Sequence, residues 1–206
     1  RSHGIYFTIL KSVDNTTTFG TFLLKYVSHY YLNYCTAKQD MASFHTKTFT
    51  KHDNYMTPKH AWENIQHMIP RDKVIWESFA GNGNSSQFLT DLGFNVICKE
   101  EDFFESNHGD IIVTNPPFSL KKEVFTRLKE LDKPFVIICP TAMITAQYFR
   151  QLFQNDRIQI IIPRRRIQFL KTDDEGNILP SENKCNFDCF YYCYKMNLEK
   201  DINWLE

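Results

Sequence analysis

Between residues 59 and 194, apolar positions at helical spacing alternate with short, nearly continuous apolar runs. Ala61, Trp62, Ile65 and Met68 share one helical face, and that helix is expected to stop before Pro70. Residues 73–79 read as a buried strand, the Gly81-Asn82-Gly83-Asn84 segment as a turn, and residues 85–92 as a helix closed by Gly93. Residues 95–99 and 110–114 are two further strands. Residues 120–131 are amphipathic and end before Pro134; a strand follows over 135–139, then a helix over 142–153. Residues 157–162 and 187–194 read as the last strands, with a hairpin or loop between them. Strands alternating with helices predict an α/β domain whose mainly parallel sheet is covered on both faces.

Upstream the pattern changes. Residues 1–16 are polar and unpatterned, whereas Phe19, Phe22, Leu23, Tyr26, Val27, Tyr30 and Tyr34 recur at helical spacing. This is either a helix packed on the body of the protein or an aromatic helix for self-association or a partner. A polar connector over 36–54 follows, so the expected division is an N-terminal extension, residues 1–50, and a main domain, residues 51–206. The start at Arg1 rather than Met reads as an added or truncated end, part of it expected to be disordered, with Met41 a candidate internal start. There is no internal repeat.

Composition narrows the classes. Of 206 residues, 42% are hydrophobic and 23% charged, which supports a packed core and excludes wholesale disorder. Lys plus Arg and Asp plus Glu both number 24, which argues against a partner gripped by bulk positive charge but leaves a local basic patch open. Eighteen Phe and ten Tyr exceed the needs of a small core and leave rings for planar ligands. No apolar run approaches the roughly 20 residues of a membrane helix, and no signal-peptide pattern opens the chain. A cytoplasmic, non-secreted protein with reduced thiols is expected. The Cys185, Cys189 and Cys193 series does not suggest a metal site, because on a strand successive members lie about 13 Å apart. The seven histidines form no ligand-like pair.

Four segments carry candidate chemistry. In Glu77-Ser78-Phe79-Ala80-Gly81-Asn82-Gly83, the glycines let the backbone turn sharply and let a ligand approach the main chain, although Gly-x-Gly also serves as a plain tight connection. Ser86 stands where a dinucleotide fingerprint has its third glycine, and a Gly-Lys-Ser/Thr ending is absent, so a nucleoside without pyrophosphate fits best. Glu100, Glu101 and Asp102 follow the second strand, where an acid can accept hydrogen bonds from ribose hydroxyls or form a solvated turn. Arg164-Arg165-Arg166 is either a phosphate-backbone contact or a solvated basic turn.

The fourth segment, Asn115-Pro116-Pro117-Phe118, closes the apolar run 110–114. Prolines donate no main-chain hydrogen bonds and stiffen the backbone. The Asn115 side-chain oxygen and the Pro116 carbonyl could together accept both hydrogens of a planar NH2 group, with Phe118 offering a ring for the plane that bears it. The alternative is a structural turn, which has no need of Asn and an aromatic flanking paired prolines. Two such acceptors favour a pyramidal over a planar nitrogen and spread any positive charge that develops on it over fixed dipoles.

With these residues the chain resembles the S-adenosylmethionine-dependent amino methyltransferases that carry an Asn/Asp-Pro-Pro-aromatic tetrapeptide, especially DNA adenine-N6 methyltransferases. The Tyr55-Met56-Thr57-Pro58 segment, the glycine turn and then Asn-Pro-Pro-Phe follow the gamma-type order, and the small size resembles compact phage or large-virus members. The resemblance covers roughly residues 54–195. It implies a Rossmann-like, doubly wound sheet of about seven strands with an antiparallel strand near the C-terminus. It assigns S-adenosylmethionine to Thr57, Pro58, Glu77, Phe79, Ala80, Gly81, Gly83, Glu100, Asp102, Phe103 and Asn115, and catalysis to Asn115, Pro116, Pro117 and Phe118. Glu100 is the counterpart of the ribose-binding acid, and Asp102-Phe103 of the pair that holds the cofactor's adenine.

The implied partner is DNA, with RNA open, bound with the target base flipped out or unpaired; Arg164, Arg165 and Arg166 are the candidate phosphate contacts. A viral member would work in the host cytoplasm or nucleus. Rival readings are an RNA adenine-N6 or guanine-N2 methyltransferase, a protein glutamine methyltransferase, and a non-catalytic nucleic-acid-binding subunit. Few residues follow Lys171 in this sequence, so a large target-recognition domain is not expected within it.

Overall fold

The computed structural model describes residues 55–172 and 187–206, all within the second of the chain's two units, Phe49–Glu206. The expected aromatic helix at 19–34, and Cys35 and Cys185, lie outside the described residues.

Seven strands form one sheet: β2 (Val74–Trp76), β3 (Asn95–Ile97), β4 (Ile111–Thr114), β5 (Phe135–Pro140), β6 (Ile158–Ile162), β8 (Cys189–Tyr194) and β9 (Ile202–Trp204). Two shorter strands, β1 (Tyr55–Met56) and β7 (Leu170–Lys171), pair antiparallel as a separate ribbon. The main sheet runs β3-β2-β4-β5-β8-β6-β9, with β8 antiparallel to both neighbours and the other pairings parallel. Helices α1 (Lys59–Glu63), α2 (Asn84–Asp91), α3 (Lys121–Leu131) and α4 (Gln147–Phe153) cover the faces. This is a Rossmann-like, doubly wound sheet with one reversed strand near the C-terminus.

The apolar runs follow from burial on both faces. All four residues of β4 are buried, as a central parallel strand requires. Alternation along β5 sends Val136 and Ile138 to one core with Trp62, Ile65 and Leu89, and Phe135, Ile137 and Cys139 to the other with Val124, Phe125, Phe149 and Phe153. Tyr191 is fully buried, and its hydroxyl donates to the Ala61 carbonyl at 2.7 Å, tying β8 to α1. An unpaired hydroxyl at that depth would cost about 1–3 kcal/mol. The described cysteines, Cys98, Cys139, Cys189 and Cys193, are free thiols.

Two expected helices are shorter than the periodicity implies. The helix over 61–68 ends at Glu63, because the Gln66 side-chain amide donates to the Glu63 carbonyl at 3.2 Å, which a continuing helix would offer to the main chain; a 3-10 turn, Gln66–Met68, follows. The helix over 142–153 is a 3-10 turn, Thr141–Thr145, then extended Ala146, then α4. Here the Thr145 hydroxyl donates to the Ala142 carbonyl at 2.9 Å. The kink lets Met143 and the pair Phe149 and Phe153 all bury against the α3 side of the sheet. Strand β9 and the β1–β7 ribbon were not among the expected elements. Among the described residues, no helix is long and apolar enough to cross a membrane.

Candidate active site

Strand order reverses between β2 and β4: the chain passes from β2 outward to β3, then returns to place β4 on the other flank. Ligands of open α/β sheets bind in the crevice outside the carboxyl ends of strands at such a switch point. The glycine turn leaves β2 there, the acidic segment leaves β3, and Asn115-Pro116-Pro117-Phe118 leaves β4.

The turn depends on its glycines. Gly81 and Gly83 have φ of 53° and 81°, the left-handed region that side chains resist. A Cβ on Gly81 would stand 3.3 Å from the Met56 sulfur, so Met56 of β1 lies over the turn. Gly83 precedes α2, whose first turn adds the Ser86 hydroxyl bonded to the Gly83 carbonyl at 2.8 Å.

Glu77 is buried beneath this turn, at 1% exposure. Its carboxylate accepts the Thr114 hydroxyl, the Phe79 amide at 3.2 Å and the Cys98 thiol at 3.8 Å, which links the ends of β2, β3 and β4. Burial pushes the Glu77 carboxyl up from 4.5 to about 7 against the opposing pull of these donors. Burial also raises the Cys98 thiol, helped by the nearby Glu77 charge, so Cys98 is no activated nucleophile.

The three acids after β3 differ in what they do. Glu101 accepts from His108 at 2.7 Å and from Ser106 at 3.2 Å, and the His108 bond holds its carboxyl below the usual range. Asp102 accepts the Phe104 amide at 2.9 Å. Glu100 is exposed and makes no hydrogen bond or ion pair among the described residues. Phe103 is buried against Phe79, with ring centroids 4.9 Å apart, and against Trp76 at 5.4 Å.

At the end of β4, Pro116 and Pro117 are buried and Phe118 is half-buried, its ring edge-on to Phe169 at 6.0 Å and Phe187 at 5.3 Å. The Asn115 amide nitrogen donates to the Tyr55 carbonyl at 3.4 Å. Its oxygen is buried with no hydrogen-bond partner among the described residues, as is the Ser78 hydroxyl oxygen at the start of the glycine turn. Buried polar atoms are paired in nearly all native interiors, so these two orphans at neighbouring strand ends are candidate acceptors for a ligand's donors. Thr57 and Pro58 are buried on the strap that includes Met56. The set offers oxygen acceptors, glycine backbone and aromatic rings, which suits a nucleoside-bearing ligand. Among the described residues, no group of His, Cys, Asp or Glu is arranged to hold a metal ion.

Arg164, Arg165 and Arg166 follow β6 and are exposed, but they are not equivalent. Arg166 is in an ion pair with Asp188, with Nε 2.7 Å from the carboxylate, whereas Arg164 and Arg165 make no ion pair among the described residues. Sequence reasoning missed Tyr55, Thr114 and Cys98. Thr114 had a signal, being the polar last position of an otherwise apolar strand.

The family model for adenine-specific methyltransferase EcoRI matches residues 25–175. The chain is 30% identical over 144 residues to the type II methyltransferase M.EcoRI of Escherichia coli, which is 58% of this chain and 44% of that protein, so it spans less than half the length of this relative. Among solved structures it is similar to a dimethyladenosine transferase from Plasmodium falciparum (12% identity, TM-score 0.42, 68% of this chain and 62% of that one). A second is the precorrin-6y C5,15-methyltransferase from Geobacter metallireducens GS-15 (12% identity, TM-score 0.41, 66% of this chain and 87% of that one).

Proposed function

This chain belongs to the adenine-specific methyltransferase EcoRI family, and from that premise we propose that it methylates the exocyclic N6 amine of adenine in DNA with S-adenosylmethionine as donor. The observation that carries the reading is the buried, unpartnered Asn115 oxygen at the end of β4.

S-adenosylmethionine supplies an electrophilic methyl carbon on a sulfonium. The chain's own residues bind, orient and stabilise. Gly81, under the Met56 side chain, and Gly83 would bring main chain close to the methionyl part, with Thr57 and Pro58 following Met56 on the strap. Glu100, the acid left exposed after β3, is the ribose acceptor, and Asp102, Phe79, Ala80 and Phe103 line the adenosyl end. Glu77 acts from below, holding the turn in shape through the Phe79 amide.

The adenine amine is a weak nucleophile because its lone pair is delocalised into the ring. Asn115 Oδ1 and the Pro116 carbonyl accept its two hydrogens, favour the pyramidal nitrogen and stabilise the charge that develops there. The nitrogen would take the methyl group of bound S-adenosylmethionine with the thioether as leaving group, and the amine's spare proton would pass to solvent, so no side chain need act as a strong base beforehand. A paired base cannot reach a crevice at strand ends, so the target is flipped out or unpaired and rests on Phe118. Arg164 and Arg165 contact the phosphate backbone. The protein works in the cytoplasm, or in a host cytoplasm or nucleus, and residues 19–34 are the candidate surface for self-association or a partner.

The test is direct. Incubation with labelled S-adenosylmethionine and unmethylated DNA, RNA or protein, followed by digestion, identifies the product. Label in N6-methyladenine from DNA is expected. Label in guanine, in RNA adenine or in glutamine transfers the site to another planar amine, and no label in any of them removes the reading.

A further inference from the structure

The orphaned Asn115 oxygen has a counterpart on the other side of the same amide. A main-chain carbonyl offers only lone pairs, so of the two ends of a carboxamide only the NH2 can face it. Asn115 Nδ2 lies 3.4 Å from the Tyr55 carbonyl. With the opposite amide orientation, two oxygens would oppose each other there and a donor would point into the crevice, where the mechanism needs an acceptor.

The Tyr55 carbonyl is itself held. Tyr55 pairs with Lys171 and Met56 with Leu170 in the β1–β7 ribbon. The Tyr55 ring packs edge-on against Phe187 at 5.4 Å and Phe169 at 6.4 Å. A two-residue strand has little stability alone, so the cross-strand partners and rings are what fix the position of this oxygen.

We infer that Tyr55 is a positioning residue for methyl transfer: its main-chain carbonyl, fixed by the β1–β7 ribbon, selects the orientation of the Asn115 amide that aims Oδ1 at the acceptor amine. The inference rests on the methyl-transfer reading above.

The substitution Asn115→Asp separates this role from simple acceptance of hydrogen bonds. When ionised, the introduced carboxylate has acceptors but nothing to donate to Tyr55, and its charge repels that carbonyl. When protonated, it restores the Asn pattern, with O–H toward Tyr55 and C=O toward the amine. Single-turnover methylation by Asn115→Asp, taken as a ratio to the unmodified protein, is therefore expected to rise about tenfold or more as pH falls from about 8.5 to about 5.5. Repeating the ratio in a Glu77→Gln background separates the titration of the introduced carboxyl from that of Glu77, which Thr114 joins to it. A flat ratio, or one that falls as the pH is lowered, overturns the inference while leaving methyl transfer intact. An inactive unmodified protein would instead remove the underlying reading.

The second arm breaks the ribbon. Proline at Lys171 takes away a main-chain donor opposite Tyr55. In Lys171→Pro, with circular dichroism and cooperative urea unfolding measured to verify folding, the low-pH gain of Asn115→Asp is expected to vanish. Persistence of the full gain in a folded double variant would place its origin elsewhere than Tyr55.

Discussion

Thr114 donates its hydroxyl proton to the buried carboxylate of Glu77, so the residue before Asn115 and the residue that opens the glycine turn are joined across β2 and β4. The contact makes one assembly of what the chain supplies as two motifs 37 residues apart. It also places an ionisable group in a setting where its charge is poorly solvated.

The first prediction follows from that setting. Glu77 titrates at its ordinary 4.5 in the unfolded chain and at about 7 in the folded one. Between those values the folded state holds a proton that the unfolded chain has released, so stability is greatest below the lower value and declines as pH rises through the upper one. At about 1.4 kcal/mol for each pH step between the two values, the loss is roughly 3 kcal/mol. Glu77→Gln is expected to flatten this decline in urea-unfolding midpoints. An unchanged slope would mean that the Glu77 charge is solvated.

Truncating the acceptor tests the chemistry. On the proposed mechanism Asn115→Ala removes an acceptor oxygen that matters most in the transition state, and losses for such groups are about 100- to 1,000-fold in turnover. The expected result is a drop of that size in the single-turnover rate, with S-adenosylmethionine binding in calorimetry weakened far less. Normal turnover would contradict the role assigned to Asn115.

The sequence showed the sheet well and the ties between its loops poorly. Continuous apolar runs such as 111–113 and 135–139, too short for a helix and rich in β-branched residues, announce strands buried on both faces. The glycine turn and Asn-Pro-Pro-Phe stood out because backbone freedom and missing donors are properties of residue types. The Tyr55–Asn115 contact is long-range, and no periodicity encodes it. Strand β9 was hidden for another reason: Ile202 and Trp204 are exposed, flanked by Lys200, Asp201 and Glu206, and so carry no burial pattern. Nor could charge alone show that Arg166 is engaged by Asp188 while its neighbours are not.

Glycines provide a contrast between shape and contact. At Gly83, with φ of 81°, an added Cβ would meet nothing within 4 Å, so Gly83→Ala should cost only the left-handed strain, about 1 kcal/mol. Gly109, with φ of 58°, sits so close to β2 that a Cβ would stand 2.7 Å from the Val74 carbonyl oxygen and 3.0 Å from the Trp76 nitrogen. Main chain cannot step aside easily, so Gly109→Ala adds overlap to strain and is expected to cost about 2–4 kcal/mol. Chemical denaturation of the two variants checks the order; equal losses would refute the close approach.

The basic segment yields a prediction about nucleic acid. Each phosphate contact releases counterions, so the slope of log affinity against log salt changes by about 0.9 per contact on duplex DNA. Arg164 and Arg165 are exposed and make no ion pair among the described residues, whereas Arg166 is held by Asp188. Arg164→Ala with Arg165→Ala should therefore make the slope shallower by about 2, while Arg166→Ala should change it by much less than one contact's worth. Oligonucleotide titrations over a range of salt would measure both. A double variant whose slope matches the unmodified protein would remove these two arginines from the DNA surface, and a full contact's worth of change in Arg166→Ala would show that its pairing with Asp188 gives way to phosphate.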